Sequence, residues 1–260
     1  MFEPIRDLGS ARILVTNDDG IHAPGLDAMA RVARTLTRDV WVVAPETQQS
    51  GVSHSLTIRS PLRVRRLADR RFAVEGTPTD CVLMAVNHVI AGRPPDIVFA
   101  GVNRGANLGE DVIYSGTVAA AMEAVLLGIP AIAFSLAVAG EGRARWSTVE
   151  ALAPDIARRL IRSSWARDVL FNVNFPDRSD DAVTGVRVTV QGRRQVGLKI
   201  DSRIDPDGRP YFWVVDYSDD APMRANSDLR AVHDGAIAIT PLCLDLTHRA
   251  SLKRLRDAFS

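Results

Sequence analysis

Cysteine is scarce: Cys81 and Cys243 are the only two in 260 residues. A pair so far apart builds neither a framework of bridges nor a cysteine-type metal site, and it suits a reducing compartment. Net charge is also close to zero, at +1 from 32 basic and 31 acidic residues. That removes the basic field of a nucleic-acid-binding protein and the acidic excess of a disordered one, so no nucleic-acid polymer is an expected partner. No apolar run reaches the roughly 18 residues that a membrane span needs. The opening MFEPIRDLGSAR puts charges where a signal peptide would carry its apolar segment. A cytoplasmic protein without a membrane partner is the expectation. Internal repeats and low-complexity linkers are missing too, which argues for one continuous unit.

What is present alternates. RILVT, VWVVA, DIVFA and AIAFS are short, largely apolar runs of strand type, and GLDAMARVARTL, DCVLMAVNHVI and TVAAAMEAVLL between them space their apolar residues as helices do. Buried strands separated by helices predict an α/β fold, a three-layer Rossmann-like core with a mainly parallel sheet. ALAPDIARRLIRSSW adds a helix and VLFNVNFP a strand. Beyond about residue 180 the pattern changes: GVRVTVQG and GRPYFWVVDY alternate like antiparallel strands around the turn-rich DSRIDPDG. GAIAITPL reads as a strand and HRASLKRLRDAF as a terminal helix. The reading is a single domain over 1–260, with a core of about 12–180 and a hairpin and helix appendage over about 181–260.

Ligands of open α/β sheets lie beyond the carboxyl ends of the strands. Three polar, glycine-bearing loops fall there: NDDG after the first strand, PETQQSGVSHS after the second and GVNRGANLGEDVIYSGT after DIVFA. The first contains adjacent carboxylates, Asp18 and Asp19. Two such charges about 4 Å apart repel by roughly 4 kcal/mol at an effective dielectric near 20, so they need either full solvation or a cation. If the strand ends by Thr16 or Asn17, with Gly20 supplying the turn, both can face one hard divalent ion, which prefers oxygen ligands. Ser50 and Asn103, each just past another strand, offer a hydroxyl and an amide oxygen as third and fourth ligands. An ordinary solvated turn, or a helix cap at Asp19, is the alternative.

Ser115, Gly116 and Thr117 open an alanine-rich helix, where N–H groups point outward and favour an anion such as phosphate; a plain helix cap is the alternative there. A cation beside an anion site points to metal-assisted hydrolysis of a phosphate ester. Two other classes compete. A dinucleotide-binding Rossmann protein would carry G-x-G-x-x-G after the first strand, where NDDGIHAPG stands instead. A non-catalytic nucleotide-binding regulator would not need the carboxylate pair.

The segments ILVTNDDGIHAPGL, VVAPETQQSGVSHSLT, GTPTDCV, PDIVFAGVNRGANLGEDVIYSGTVAAAMEA, GIPAIAFS, NVNFP, DPDGRPYFW and AITPLCLDLT follow one another from about residue 12 to 247. Together they closely resemble the SurE survival-protein family of metal-dependent nucleotidases. The resemblance implies hydrolysis of nucleoside monophosphates, 5′ and also 3′, with short polyphosphate as a further substrate. It implies one Mg²⁺ or Mn²⁺ per subunit on Asp18, Asp19, Ser50 and Asn103. Asp18, Asp19 and Asn103 would be catalytic, and Asn17, Ser115, Gly116 and Thr117 would bind substrate phosphate. Whether Asp18 or Asp19 acts as base or nucleophile stays open, although D-x-D-x-T, the arrangement of aspartyl-phosphate hydrolases, is absent. A homodimer or homotetramer that exchanges parts of the appendage is implied as well. Two stretches are less typical of the family, RRQVGLKIDSRI and VVDYSDDAPMRANSD, and the second belongs to the substrate entrance.

His22 and His54 lie in the site loops, where a loop-ordering hydrogen bond and contact with phosphate are both open. His88, His233 and His248 have no partner at metal spacing. Cys81 reads as small buried packing. The basic RVRRLADRR reads as a solvated hairpin.

Overall fold

The run RILVT becomes β1 (Arg12–Thr16), whose Ile13, Leu14 and Val15 are wholly buried. Such a strand needs cover on both faces, and the following elements supply it. In chain order they are α1 (Pro24–Arg34), β2 (Asp39–Pro45), β3 (Val64–Ala68), β4 (Arg71–Val74), α2 (Pro78–Met84), β5 (Ile97–Arg104), α3 (Asp111–Tyr114), α4 (Gly116–Leu126) and β6 (Ala131–Ala137). Then come α5 (Trp146–Arg162), β7 (Val169–Pro176), β8 (Val186–Val188), β9 (Lys199–Ile204), β10 (Pro210–Val215), α6 (Asp228–His233), β11 (Ile237–Cys243) and α7 (Arg249–Ala258). This computed structural model describes residues 1–138, 142–193, 199–215 and 223–259.

A nine-stranded sheet runs in the order β3-β4-β2-β1-β5-β6-β7-β11-β8. From β4 to β7 every neighbouring pair is parallel, while β3 and β11 join antiparallel. Helices α1 and α5 pack on each other, as do α2 and α4, and the two pairs cover the two sides of the sheet. The expected α/β architecture is therefore present. Helix α4 is buried almost all round, which explains its run of alanines. Phe99 of β5 and Phe134 of β6 meet edge to face at 5.4 Å in the middle of the core.

Two details position the site. First, the chain leaves β1 toward β2 on one side and returns to β5 on the other, so the strand order reverses at β1, where α/β sheets open a crevice. Second, β5 bulges against β6: Ala100 pairs with Ala133 but Asn103 with Ser135, one residue extra on β5. Gly101 sits in that bulge at φ +128°, and a Cβ there would lie 2.2 Å from the Phe134 carbonyl oxygen.

The later chain departs from expectation in two places. GVRVTVQG is not an antiparallel partner of the hairpin; its Val186–Val188 runs parallel to β11 in the main sheet. Alternation marks a half-buried strand without naming its neighbour, and the outer edge of β11 offers unpaired backbone groups. DSRIDPDG is only half a turn, because β9 continues to Ile204 against Pro210 of β10. The reversal itself is short, with Asp205 Oδ1 accepting from the N–H groups of Asp207 and Arg209. The DCVLMAVNHVI helix also changes winding: α2 ends at Met84 and continues as a wider π turn over Ala85–Val89. Of the two atypical stretches, residues 194–198 and 216–222 lie outside the described residues.

Candidate active site

Strand β1 ends at Thr16, and Asn17 to Gly20 turn away from the sheet. Gly20 takes φ +99°, a left-handed conformation that a side chain would strain. Asn17 braces the turn, its Nδ2 donating to Gly20 O at 3.1 Å. Pro24 then opens α1 at the first helical position, where its missing N–H costs nothing. The turn lets both carboxylates leave the strand alternation and face the same crevice.

Asp18, Asp19, Ser50, Asn103 and Ser115 line one cavity of about 480 Å³ at the carboxyl ends of β1, β2 and β5. Gln49 N–H donates to the Asp18 carbonyl at 2.7 Å, which pins the loop after β2 to the loop after β1. The Arg104 N–H donates to Asp19 Oδ2 at 3.1 Å, which ties in the end of β5. Asn103 Nδ2 donates to Gly105 O at 3.0 Å, leaving its Oδ1 as the oxygen for a ligand. The Ser50 hydroxyl accepts from Gln48 Nε2 at 2.9 Å and stays exposed.

Burial dominates the electrostatics. It raises the Asp18 carboxyl from 3.8 to about 6, opposed by the hydrogen bond from Thr117 and aided by the charge of Asp19. Asp19 is raised for the same first reason, and the N–H and charge of Arg104 pull it back. The compensation the chain supplies is outweighed by burial, and both carboxyls stay raised. All four candidate donors are oxygens and two are carboxylates, a set that suits Mg²⁺ or Mn²⁺. Among the described residues no three His, Cys, Asp or Glu side chains gather, so a cation here would rest on this pair completed by neutral oxygens. Asn17 Oδ1 is buried beside the pair with no hydrogen-bond partner among the described residues.

The residues expected at the phosphate end are placed differently from one another. Ser115 lines the cavity, and its hydroxyl caps α4 by accepting from Val118 N–H at 3.1 Å. Gly116 packs directly on Asp18; a Cβ there would lie 2.8 Å from Asp18 Cβ. Thr117 is wholly buried, and its hydroxyl donates to Asp18 Oδ1, so it serves the carboxylate instead of facing the cavity. Asn17 is likewise wholly buried. His54 donates to or accepts from Glu123 at 3.0 Å and orders its loop, while His22 is exposed. Cys81 is buried, and that burial holds its thiol well above the ordinary value, so it is a packing residue.

Other supporting residues carry weaker sequence signals. Asn107, Asp111 and Tyr114 also line the cavity. Asn107 is clamped from below: its N–H donates to Asn174 Oδ1 and its carbonyl accepts from both Asn172 and Asn174. The alternation NVN in an apolar strand was the available sign, since i and i+2 share a face. Asp228, at the start of α6, is fully buried and accepts from Gly109 N–H at 2.9 Å and Gly192 N–H at 2.8 Å. Its SD dipeptide looks like any helix start.

Fold and site together define an α/β protein with a two-carboxylate centre at the sheet's reversal point. The family model described as survival protein SurE matches residues 13–197. A 5′-nucleotidase SurE of Paramagnetospirillum magneticum is 56% identical over 258 residues, 99% of each chain. One of Rhodospirillum rubrum is 53% identical over 262 residues and the full length of both. The crystal structure of the SurE protein from Aquifex aeolicus superposes with a TM-score of 0.84 at 36% identity, covering 96% of this chain and all of that one. The chain belongs to the SurE family.

Proposed function

We propose that this protein is a metal-dependent 5′-nucleotidase, which hydrolyses nucleoside monophosphates to nucleoside and phosphate. Its relatives at 51–56% identity over nearly the whole chain bear the name 5′-nucleotidase SurE, which disfavours a regulator or a dinucleotide-binding protein. The observation that carries the reading is the convergence of Asp18 and Asp19 from the loop after β1, Ser50 from the loop after β2 and Asn103 from the end of β5 on one cavity. These four would hold one Mg²⁺ or Mn²⁺ per subunit. When bound, such an ion polarises a phosphoryl oxygen and lowers the pKa of water.

The chain's own groups do the rest. Asp18 and Asp19 orient the attacking water, and either can take its proton. Ser115 and the opening N–H groups of α4 face the phosphate end, where a helix N-terminus stabilises negative charge. Asn103 fixes the phosphoryl group from the β5 side. 3′-Nucleotides and short polyphosphate present the same terminal group and belong to the proposed range.

Hairpin β9–β10 exposes Phe212, Trp213 and Val214 at 56–62% of their surface, more apolar area than a lone hairpin keeps in water. We extend the proposal to a homodimer or homotetramer built through this hairpin and α7. Among the described residues no helix is long and apolar enough to cross a membrane; a cytoplasmic site of action fits the proposal.

A phosphate-release assay on a panel of 5′- and 3′-nucleotides tests the activity. Release that stops with chelator and returns with Mg²⁺ or Mn²⁺ is expected. Binding of nucleotides without any phosphate release would overturn it.

A further inference from the structure

A second and larger cavity, of about 1060 Å³, adjoins the carboxylate site and shares Asp19, Gln48 and Arg104 with it. Its far wall is Trp146, the first residue of α5, flanked by Ser147 and by the Arg31–Glu150 ion pair at 2.7 Å. The indole is only partly buried and lies against Gly25, where a Cβ would come within 3.1 Å of Trp146 Cη2. A Cβ there would also lie 2.1 Å from the Val102 carbonyl oxygen, so the bare backbone at Gly25 serves the close approach of β5 first and the ring second.

We propose that this cavity seats the nucleoside part of the substrate, with the base stacked on Trp146. The inference rests on the nucleotidase reading above. A phosphate ester held at Asp18 and Asp19 must send its remaining atoms somewhere, and the adjoining cavity opens from Asp19 itself. Its volume is at the upper end for small-molecule sites, ample for a base and a ribose. An aromatic wall with polar groups at its rim matches a flat heteroaromatic ring. Stacking is tolerant of base identity, because every base has a π-face. Purine and pyrimidine nucleotides should therefore be turned over alike, while phosphate esters of aliphatic alcohols should be poorer substrates.

The test compares a 5′-nucleotide with ribose 5-phosphate in the wild type, Trp146→Ala and Trp146→Phe. For Trp146→Ala we expect kcat/KM on the nucleotide to fall about 5- to 150-fold, the usual range for one lost stacking contact. Activity on ribose 5-phosphate should hardly change, and Trp146→Phe should retain most of the nucleotide preference. Free nucleoside should inhibit ribose 5-phosphate hydrolysis by the wild type competitively and by Trp146→Ala far less. Equal losses on both esters would mean that Trp146 only packs, and would overturn the proposal. So would a wild type that nucleoside does not inhibit, a readout that stands even if the alanine variant fails to fold. If neither ester is hydrolysed at all, it is the nucleotidase reading that fails.

Discussion

The Thr117 hydroxyl donates to Asp18 Oδ1, joining residues 99 positions apart in the chain. This bond connects the start of α4 to the tip of β1. It gives a buried carboxylate its only side-chain donor among the described residues. Thr117→Ala should therefore destabilise the metal-free protein by about 1.5–3 kcal/mol, the cost of losing one hydrogen bond to a buried charged group. Thr117→Ser should recover most of that loss. Urea denaturation of chelator-treated protein measures both; an alanine variant as stable as the wild type would show that the bond carries no weight.

Gly116→Ala tests the packing beside the same carboxylate. The added Cβ would lie 2.8 Å from Asp18 Cβ and 3.1 Å from its Oδ2, so Asp18 must shift. Overpacking of this kind costs about 1–3 kcal/mol. Nucleotide turnover should fall by more than tenfold, because a displaced ligand misplaces the reacting groups. Circular dichroism should show an intact fold. Unchanged kcat/KM would contradict the placement of Asp18.

Asp228→Ala removes the acceptor for the N–H groups of Gly109, Gly192 and Leu229. A loss of about 3 kcal/mol or more is expected for stranding several buried donors. Asp228→Asn, which keeps one acceptor oxygen, should lose less. Equal losses in the two variants, by chemical denaturation, would contradict this reading.

How far these features were legible differs with their physics. β1 and β7 were readable to the residue, because buried parallel strands in a covered sheet leave largely apolar runs, broken in β7 only by Asn172 and Asn174. The convergence of Asp18, Asp19, Ser50 and Asn103 on one cavity was readable because each follows such a run, and strand ends fix which segments meet. Partners were not readable. The sequence places Thr117 and Asp18 at two different ends of a site, and only the three-dimensional path shows one bonded to the other. The same holds for Val186–Val188, whose alternation fits a hairpin as well as the β11 edge it occupies. Asp228 left no trace, since its ligands are backbone N–H groups, which every residue except proline carries.

A pH effect is expected away from the site. Hydrogen bonds from Arg187 and Arg230 lower the Asp234 carboxyl from 3.8 to about 2. A carboxyl lowered in the folded state contributes stability above its unfolded value, and that contribution is lost as pH falls through the folded value. Asp234→Asn should therefore melt below the wild type at pH 7, with the gap closing between about pH 4 and pH 2. A gap that stays constant over that range, in thermal melts, would show that the ion pairs are not its source.

The central claim is that Asp18 and Asp19 together hold a divalent cation, and calorimetric titration tests it without reference to turnover. Mn²⁺ titrated into chelator-stripped wild-type protein should reveal one site per chain. The double variant Asp18→Asn, Asp19→Asn, folded by circular dichroism, should show that site lost or weakened by orders of magnitude. Saturable binding of the same affinity in the double variant, or none in the wild type, would contradict the account.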